Sequence, residues 1–200
     1  MGISEVRLES PGRPTGTCTG SARELKPDEI TRLVQVTTSP RDRALVWLCL
    51  GAGLRIGEAC TLTFRSVGSD GSLVVDASLA KSGKSRRVHL CPQGREALRA
   101  YLATMPIAAP SSPLFPRKGS GRSITPNWGV RVIESLLRAA NITSASSHSL
   151  RRTHANTLRR SGADLTIIQG QLGHSSLATT AVYMSASQVE KTAAVDKIVF

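Results

Sequence analysis

Apolar residues recur every three to four positions over most of the chain, which is the spacing of amphipathic helices. Several of these segments open at a proline, a residue that is tolerated in the first helical turn and breaks a helix further in. The helices predicted from these patterns begin at Pro27, at Pro40, shortly after Gly53, at Pro92, at Pro126 and at Ser146, and a last one carries Leu165, Ile168 and Leu172. The chain is therefore expected to be mainly helical.

The period of the apolar positions changes in one stretch near the middle of the chain. Residues 73–75 and 87–90 have the composition of two short β-strands, and the polar segment 81–84 lies between them. Two strands joined by a hairpin pair antiparallel. The expected fold class is therefore mainly α with a small antiparallel β-sheet, an α+β architecture.

The first 22 residues differ in composition from the rest of the chain. They are rich in Gly, Ser, Thr and Pro and show no sustained apolar period. Such a segment is expected to be a flexible arm or the remnant of a linker. Residues 23–200 are expected to form one domain with a substantial core, ending in a helical tail over about residues 186–200.

The chain carries a large excess of positive charge, with 26 Lys and Arg against 14 Asp and Glu and a net charge of +12. This surplus indicates a polyanionic partner, with nucleic acid the leading candidate, although charge alone leaves open a merely cationic protein. The four cysteines form no metal-binding or disulfide pattern, and no apolar stretch is long enough to cross a bilayer. These features favour a cytoplasmic protein associated with the nucleoid.

Four short segments contain the residues best suited to chemistry. They are AGLRIGE at 52–58, HSLRRTHA at 148–155, LGH at 172–174, and Tyr183, nine residues after His174. In this order, with the lysine hairpin between the first and the second, they resemble the signature of the tyrosine recombinase (phage integrase) family in its XerC/XerD-like form. The resemblance covers roughly residues 25–190.

The resemblance implies the tyrosine recombinase catalytic-domain fold and six active-site residues, which are Arg55, Lys81, His148, Arg151, His174 and Tyr183. Three small departures from the family's pattern are present: Ala52 where threonine is common, His89 where proline often ends the second strand, and Ser185 where histidine often follows the nucleophile. None of them falls on an active-site position.

Arg55 and Arg151 suit a reaction at a phosphodiester. Negative charge develops on two non-bridging oxygens during attack, and a planar guanidinium can hold such oxygens bidentately. The structural alternatives are a surface salt bridge between Arg55 and Glu58, and a solvated helix face for Arg151.

Tyr183 is the candidate nucleophile. A phenol has an unperturbed pKa of about 10, so attack at neutral pH requires a base or a cationic neighbourhood. The alternative is a tyrosine that packs in the core. Tyr101, the only other tyrosine, lies in an ordinary amphipathic helix and is taken as a decoy.

The other three positions would move protons or bind phosphate. His148, three residues before Arg151 and on the same helical face, would accept or relay the tyrosine proton, or else simply neighbour the helix cap. His174 would hydrogen-bond a non-bridging oxygen, or else pack structurally. Lys81 would protonate the leaving 5′ oxygen, with Lys84 as the fallback.

The function implied by the resemblance is site-specific recombination of double-stranded DNA by a homo-oligomer, a tetramer on two DNA sites. It would proceed through a 3′-phosphotyrosyl intermediate, without metal, nucleotide or other cofactor. A type IB topoisomerase and a non-catalytic DNA-binding protein of the same fold are the alternatives. The chain is expected to be a naturally minimal recombinase or a catalytic fragment. Further DNA contacts are predicted at Lys84, Arg86, Arg117, Lys118, Arg122 and Arg152.

Overall fold

The computed structural model describes residues 22–77 and 85–173 of the chain. The predicted N-terminal arm (apart from residue 22), the connection between the two strands and the helical tail lie outside the described residues. The same holds for four residues assigned to chemistry or to DNA binding, which are Lys81, Lys84, His174 and Tyr183.

The described part of the chain is built mostly from helices. These are α1 (Pro27–Val36), α2 (Pro40–Gly51), α3 (Ile56–Thr61), α4 (Pro92–Leu102), α5 (Pro126–Ala139), α6 (Ser147–Arg160) and α7 (Leu165–Leu172), with a 3-10 turn at Phe64–Ser66. Four of them begin at the proline that predicted them, and the side chains of Ser39 and Thr125 cap α2 and α5. The predicted mainly helical fold is confirmed.

Two short strands, β1 (Ser72–Val75) and β2 (Arg86–His89), pair antiparallel with Leu73 opposite Val88. Both residues of that pair are buried in the core. The side-chain amide of Gln171 on α7 continues the pairing, because its Nε2 donates to His89 O at 2.6 Å and its Oε1 accepts from His89 N at 3.1 Å. The predicted antiparallel sheet is confirmed, and its β2 edge is joined to α7.

Helix α2 lies at the centre of the domain. Its last turns are buried almost all round, and α2 packs against α4 on one side and α6 on another. The uncharged stretch near residues 44–54 is therefore a core helix and the turn that follows it. In the described part of the chain, no helix has both the length and the apolar character needed to span a membrane.

Two glycine turns bring the motif segments together. Gly53 lies two residues after the end of α2 and has a φ of +67°, and a Cβ built on it would lie 2.6 Å from Cδ2 of His154. Gly173 ends α7 in the left-handed conformation with a φ of 66°. Position 53 requires glycine because its φ is positive and because a Cβ would overlap with neighbouring side chains. This turn therefore sets the direction in which the chain continues to Arg55.

Gly53→Ala is expected to lower the free energy of unfolding by about 2–5 kcal/mol, because the new methyl group would add left-handed strain and overlap with His154 and Leu172. Gly162→Ala is the matched control: its φ is +83°, but a Cβ there meets nothing within 4 Å. That change should cost only the conformational strain, about 1–2 kcal/mol. Urea denaturation measures both, and equal losses would contradict the close packing at Gly53.

Candidate active site

Arg55 is the N-cap residue of α3, so its position is set by the start of that helix. Glu58, three residues later, accepts a hydrogen bond from the backbone N–H of Arg55 at 2.8 Å and one from its Nη1 at 3.1 Å. The Arg55 side chain is 31% exposed, so the guanidinium faces solvent while one edge is held. The salt bridge considered from the sequence is present, but its carboxylate is buried.

Glu58 is shared by three arginines from distant parts of the chain. Its carboxylate is 2% exposed and accepts two bonds from Arg86, at 3.0 Å from Nη1 and 2.8 Å from Nη2. Nη1 of Arg151 lies 3.9 Å from the same carboxylate. Among these four side chains, three guanidiniums share one carboxylate, which leaves two net positive charges at the centre of the site.

The protonation state of Glu58 follows from this geometry. Burial alone would raise the pKa of its carboxyl group, but the Arg86 hydrogen bonds, the Arg55 N–H and the charges of Arg86 and Arg151 outweigh that effect and lower the pKa below its usual value. Glu58 is therefore ionised at neutral pH and acts as a fixed counter-charge.

Arg151 ties together the three motif segments that the structure describes. Its Nη1 donates to Gly53 O at 2.6 Å, and its Nη2 donates to Leu172 O at 2.7 Å. The side chain is only 6% exposed, so the alternative of a solvated helix face is wrong. Since Leu172 and Gly173 lead directly into His174, the chain toward His174 and Tyr183 leaves from beside the guanidinium of Arg151.

His148 lies in the first turn of α6 and is exposed. The cap of this helix is made by Ser146 and Ser149, whose hydroxyl accepts from Ser146 N at 3.1 Å. The imidazole is therefore exposed to solvent at the start of the helix that carries Arg151. Its proton role stays a prediction, as do the roles of Lys81, His174 and Tyr183.

Tyr101 occupies the core. Its hydroxyl donates to Leu114 O at 2.9 Å, and its ring stacks on Phe115 with centroids 5.2 Å apart. It has the environment of a packing residue, which agrees with its interpretation as a decoy.

Glu58 and Arg86 are the site residues that sequence reasoning missed in their structural role. The sequence pairs Glu58 with Arg55 in a surface salt bridge, at a spacing that also matches a capping box, but it does not show that this carboxylate is buried and shared by three arginines. No sequence signal pairs Glu58 with Arg86, 28 residues away. The Arg86 side chain is 9% exposed and held by Glu58, so its predicted contact with DNA would have to compete with this pair and stays a prediction.

A second basic feature lies where α5 begins. A cavity of about 500 Å³, here called the α5 basic cavity, is lined by Arg41, Arg117, Lys118, Arg131, Asn127, Trp128, Thr125 and Ile124. Arg41 stacks over the Trp128 ring at 4.2 Å. Within residues 22–77 and 85–173, none of its four cations forms an ion pair with a carboxylate, so the cavity can accept an anion.

Comparison with known proteins identifies the family. Residues 23–190 match the model of the phage integrase family. The chain belongs to the phage integrase family, the tyrosine recombinases. It is 34% identical over 163 residues to tyrosine recombinase XerC of Xanthomonas campestris, covering 80% of this chain and 50% of the relative. It is 35% identical over 173 residues to XerD of Caulobacter vibrioides, covering 80% and 56%. The chain spans about half the length of these curated relatives.

Solved structures have the same fold. A crystal structure of XerA recombinase superposes with a TM-score of 0.75 at 26% identity, covering 90% of this chain and 67% of that one. XerH site-specific recombinase bound to its difH substrate in a pre-cleavage complex superposes with a TM-score of 0.69 at 20% identity, covering 92% and 57%. The predicted tyrosine recombinase catalytic-domain fold is confirmed.

Glu58→Gln is expected to lower the free energy of unfolding at pH 7 by about 3–5 kcal/mol, because it leaves buried guanidiniums without their counter-charge. Since the folded-state pKa of Glu58 is lowered, its contribution is present above the unfolded value near 4.5 and is lost as pH falls through the folded value. The stability of the variant should therefore change less than that of the wild type below about pH 4.5.

Asp28→Asn is the matched control for this measurement, because Asp28 forms an exposed pair with Arg32 at 2.7 Å on α1. The free energy of unfolding of Asp28→Asn should be nearly the same as that of the wild type, in the same denaturation measurement. A Glu58→Gln protein as stable as the control would show that the buried carboxylate is not needed to hold the three arginines.

Proposed function

We propose that this chain is the catalytic domain of a site-specific DNA recombinase that cleaves and rejoins duplex DNA through Tyr183. The observation that carries the proposal is the meeting of Arg55 and Arg151 around one buried carboxylate, beside the end of α7. Membership of the tyrosine recombinase family supports it. The domain is taken to cover residues 23–200, with the first 22 as an arm.

Phosphate binding is assigned to Arg55 and Arg151. Arg55 presents a guanidinium that is held at one edge by Glu58 and is partly open to solvent. The Nη atoms of Arg151 donate to neutral carbonyl oxygens, at 2.6 and 2.7 Å. Each Nη carries a second N–H, so Arg151 can donate charge-assisted hydrogen bonds to an anionic phosphate oxygen while both carbonyl contacts stay in place. His174 would add a hydrogen bond to a non-bridging oxygen.

The chemical step transfers a phosphoryl group. The phenol oxygen of Tyr183 attacks phosphorus and forms a 3′-phosphotyrosyl bond, while the bond from phosphorus to the 5′ oxygen breaks. His148 accepts the proton of the phenol, and Lys81 donates a proton to the departing 5′ oxygen. One phosphodiester replaces another, so a second 5′ hydroxyl can reverse the step on a new strand without ATP.

Double-stranded DNA is the proposed partner. XerH was solved bound to its difH substrate, and the Tn1549 transposon integrase was solved with a circular intermediate DNA. The net charge of +12 and the α5 basic cavity favour phosphate contacts on this chain as well. We place the protein with the nucleoid, acting as a tetramer on two DNA sites.

Tyr183 is expected to become linked to DNA in the presence of excess EDTA. The substrate is a duplex carrying the site found in DNA flanking the gene, nicked just beyond the scissile phosphate so that the short 5′-hydroxyl fragment diffuses away. Tyr183→Phe should abolish the adduct and leave DNA affinity nearly unchanged, since one hydroxyl adds little to many phosphate contacts. Electrophoresis and peptide mapping measure both.

Tyr101→Phe is the matched control, because it also removes one tyrosine hydroxyl, but from a core hydrogen bond. It should still form the adduct. An adduct on another residue, or cleavage only after Mg²⁺ is added, would contradict the assignment. Binding without any adduct would favour a non-catalytic protein, and plasmid relaxation without strand exchange would favour a topoisomerase.

Phosphate contacts in the α5 basic cavity predict a measurable salt effect. Lys118→Gln and Arg131→Gln should each reduce the slope of log affinity against log salt by about 1, because each removes one neutralised phosphate. Arg138→Gln, an exposed arginine at the opposite end of α5, is the control and should leave the slope unchanged. If Lys118→Gln and Arg131→Gln both kept the slope of the wild-type protein, the cavity would not be part of the DNA-binding surface.

A further inference from the structure

His154 is a buried histidine on α6, three residues after Arg151, for which the proposed chemistry has no use. The residue is 8% exposed. Its Nδ1 lies 3.1 Å from Leu50 O at the end of α2. Its Cδ2 would be 2.6 Å from a Cβ at Gly53, so the ring lies directly against the Cα of that glycine.

The geometry fixes the form of this imidazole. A carbonyl oxygen only accepts, so Nδ1 carries the proton and donates to Leu50 O. Nε2 is buried and has no hydrogen-bond partner among the residues that the structure describes, so the ring is neutral. A second proton would place a charge without an acceptor in a site from which water is largely excluded.

The surroundings of the ring agree with a neutral form. Among the described residues, the charged group that acts on the ring is Arg151 on the same helix, and Glu58 of α3 lies at the guanidinium of Arg151. Helix α2 contributes the Leu50 carbonyl, and the apolar Leu172 of α7 lies with the ring beside Gly53. Burial and the charge of Arg151 lower the pKa of His154 to about 4, although the hydrogen bond to Leu50 acts in the opposite direction.

The ring touches the turn on which both phosphate-binding arginines depend. Gly53 O accepts from Nη1 of Arg151 at 2.6 Å, and Gly53 lies two residues before Arg55. A displacement of the Gly53 peptide would therefore move the acceptor of one arginine and the backbone of the other.

We propose that His154 is a positioning residue, which clamps the α2 end and the Gly53 turn so that Arg55 and Arg151 converge on one phosphate. This role rests on the function proposed above. It predicts that changes at His154 impair the handling of phosphate charge rather than the binding of DNA.

Three variants separate positioning from general stability. His154→Phe keeps a ring beside Gly53 and loses the donor to Leu50, whereas His154→Asn keeps a donor at the place of Nδ1 and loses the ring. Thr153→Val is the matched control on the same helix. Thr153 Oγ1 accepts from Leu25 N at 2.9 Å and donates to Ser149 O at 2.7 Å, so it packs away from the arginines.

The first measurement requires no DNA. In the wild-type protein at pH 6, nitrogen NMR should find His154 protonated on Nδ1 only. His154→Phe should shift the side-chain N–H signals of Arg55 and Arg151, and Thr153→Val should leave them in place. Unmoved arginine signals in His154→Phe, or a proton on Nε2 in the wild type, would overturn the positioning role whatever happens with DNA.

The second measurement compares adduct formation on the nicked duplex with a phosphate or with an uncharged methylphosphonate at the scissile position. His154→Phe should slow the reaction by about 10- to 100-fold on phosphate, with unchanged affinity, because misplaced arginines compensate less charge. On methylphosphonate the rate of adduct formation by His154→Phe should lie within about threefold of the wild-type rate, since there is less charge to compensate. His154→Asn should recover part of the rate on phosphate.

Equal slowing of His154→Phe on the two duplexes, or a Thr153→Val profile identical to it, would mean that His154 is only structural. A wild-type protein that forms no adduct on its site would instead remove the proposed function, and the NMR measurement would still decide the positioning of the arginines.

Discussion

A single buried carboxylate, that of Glu58, organises the centre of this domain. A carboxylate taken out of water is costly unless it is paired, and three guanidiniums brought together without it would repel one another. Arg55 caps the helix that carries Glu58, Arg86 opens β2, and Arg151 lies on α6. Each of these elements is held to the others through the same group. Folding therefore assembles an excess of positive charge at one place, which is the physical requirement for binding a phosphodiester.

The contacts that hold the described part of the candidate site involve the backbone as well as side chains. Arg151 binds the carbonyls of Gly53 and Leu172, and Gln171 binds both polar backbone groups of His89. The end of α7 is thus fastened to β2 and to α6 just before the segment that contains His174 and Tyr183. These bonds fix the position of Leu172 and Gly173, the last described residues before the segment that carries the proposed nucleophile.

Local features of the sequence predicted most of the fold and part of the site. Prolines and cap residues marked helix starts, and Gly173 marked the end of α7, because these residues act on their own few neighbours. Resemblance to the family predicted Arg55 and Arg151 as site residues, and the structure brings both to the carboxylate of Glu58. The pairing of Arg86 with Glu58 and the place of His154 against Gly53 were not predictable, since they join residues 28 and 101 positions apart whose spacing carries no periodic signal. They depend on how α2, α3, α6 and β2 pack together.

The central claim is that Arg55 and Arg151 converge on the scissile phosphate. It is tested most directly by a crystal structure of the Tyr183→Phe protein bound to its uncut DNA site. Both guanidiniums are expected to lie within hydrogen-bonding distance of the two non-bridging oxygens of one phosphate, with Glu58 still between Arg55 and Arg86 and the substituted ring at position 183 facing the phosphorus. A scissile phosphate that contacts neither arginine, or that lies in the α5 basic cavity, would contradict it.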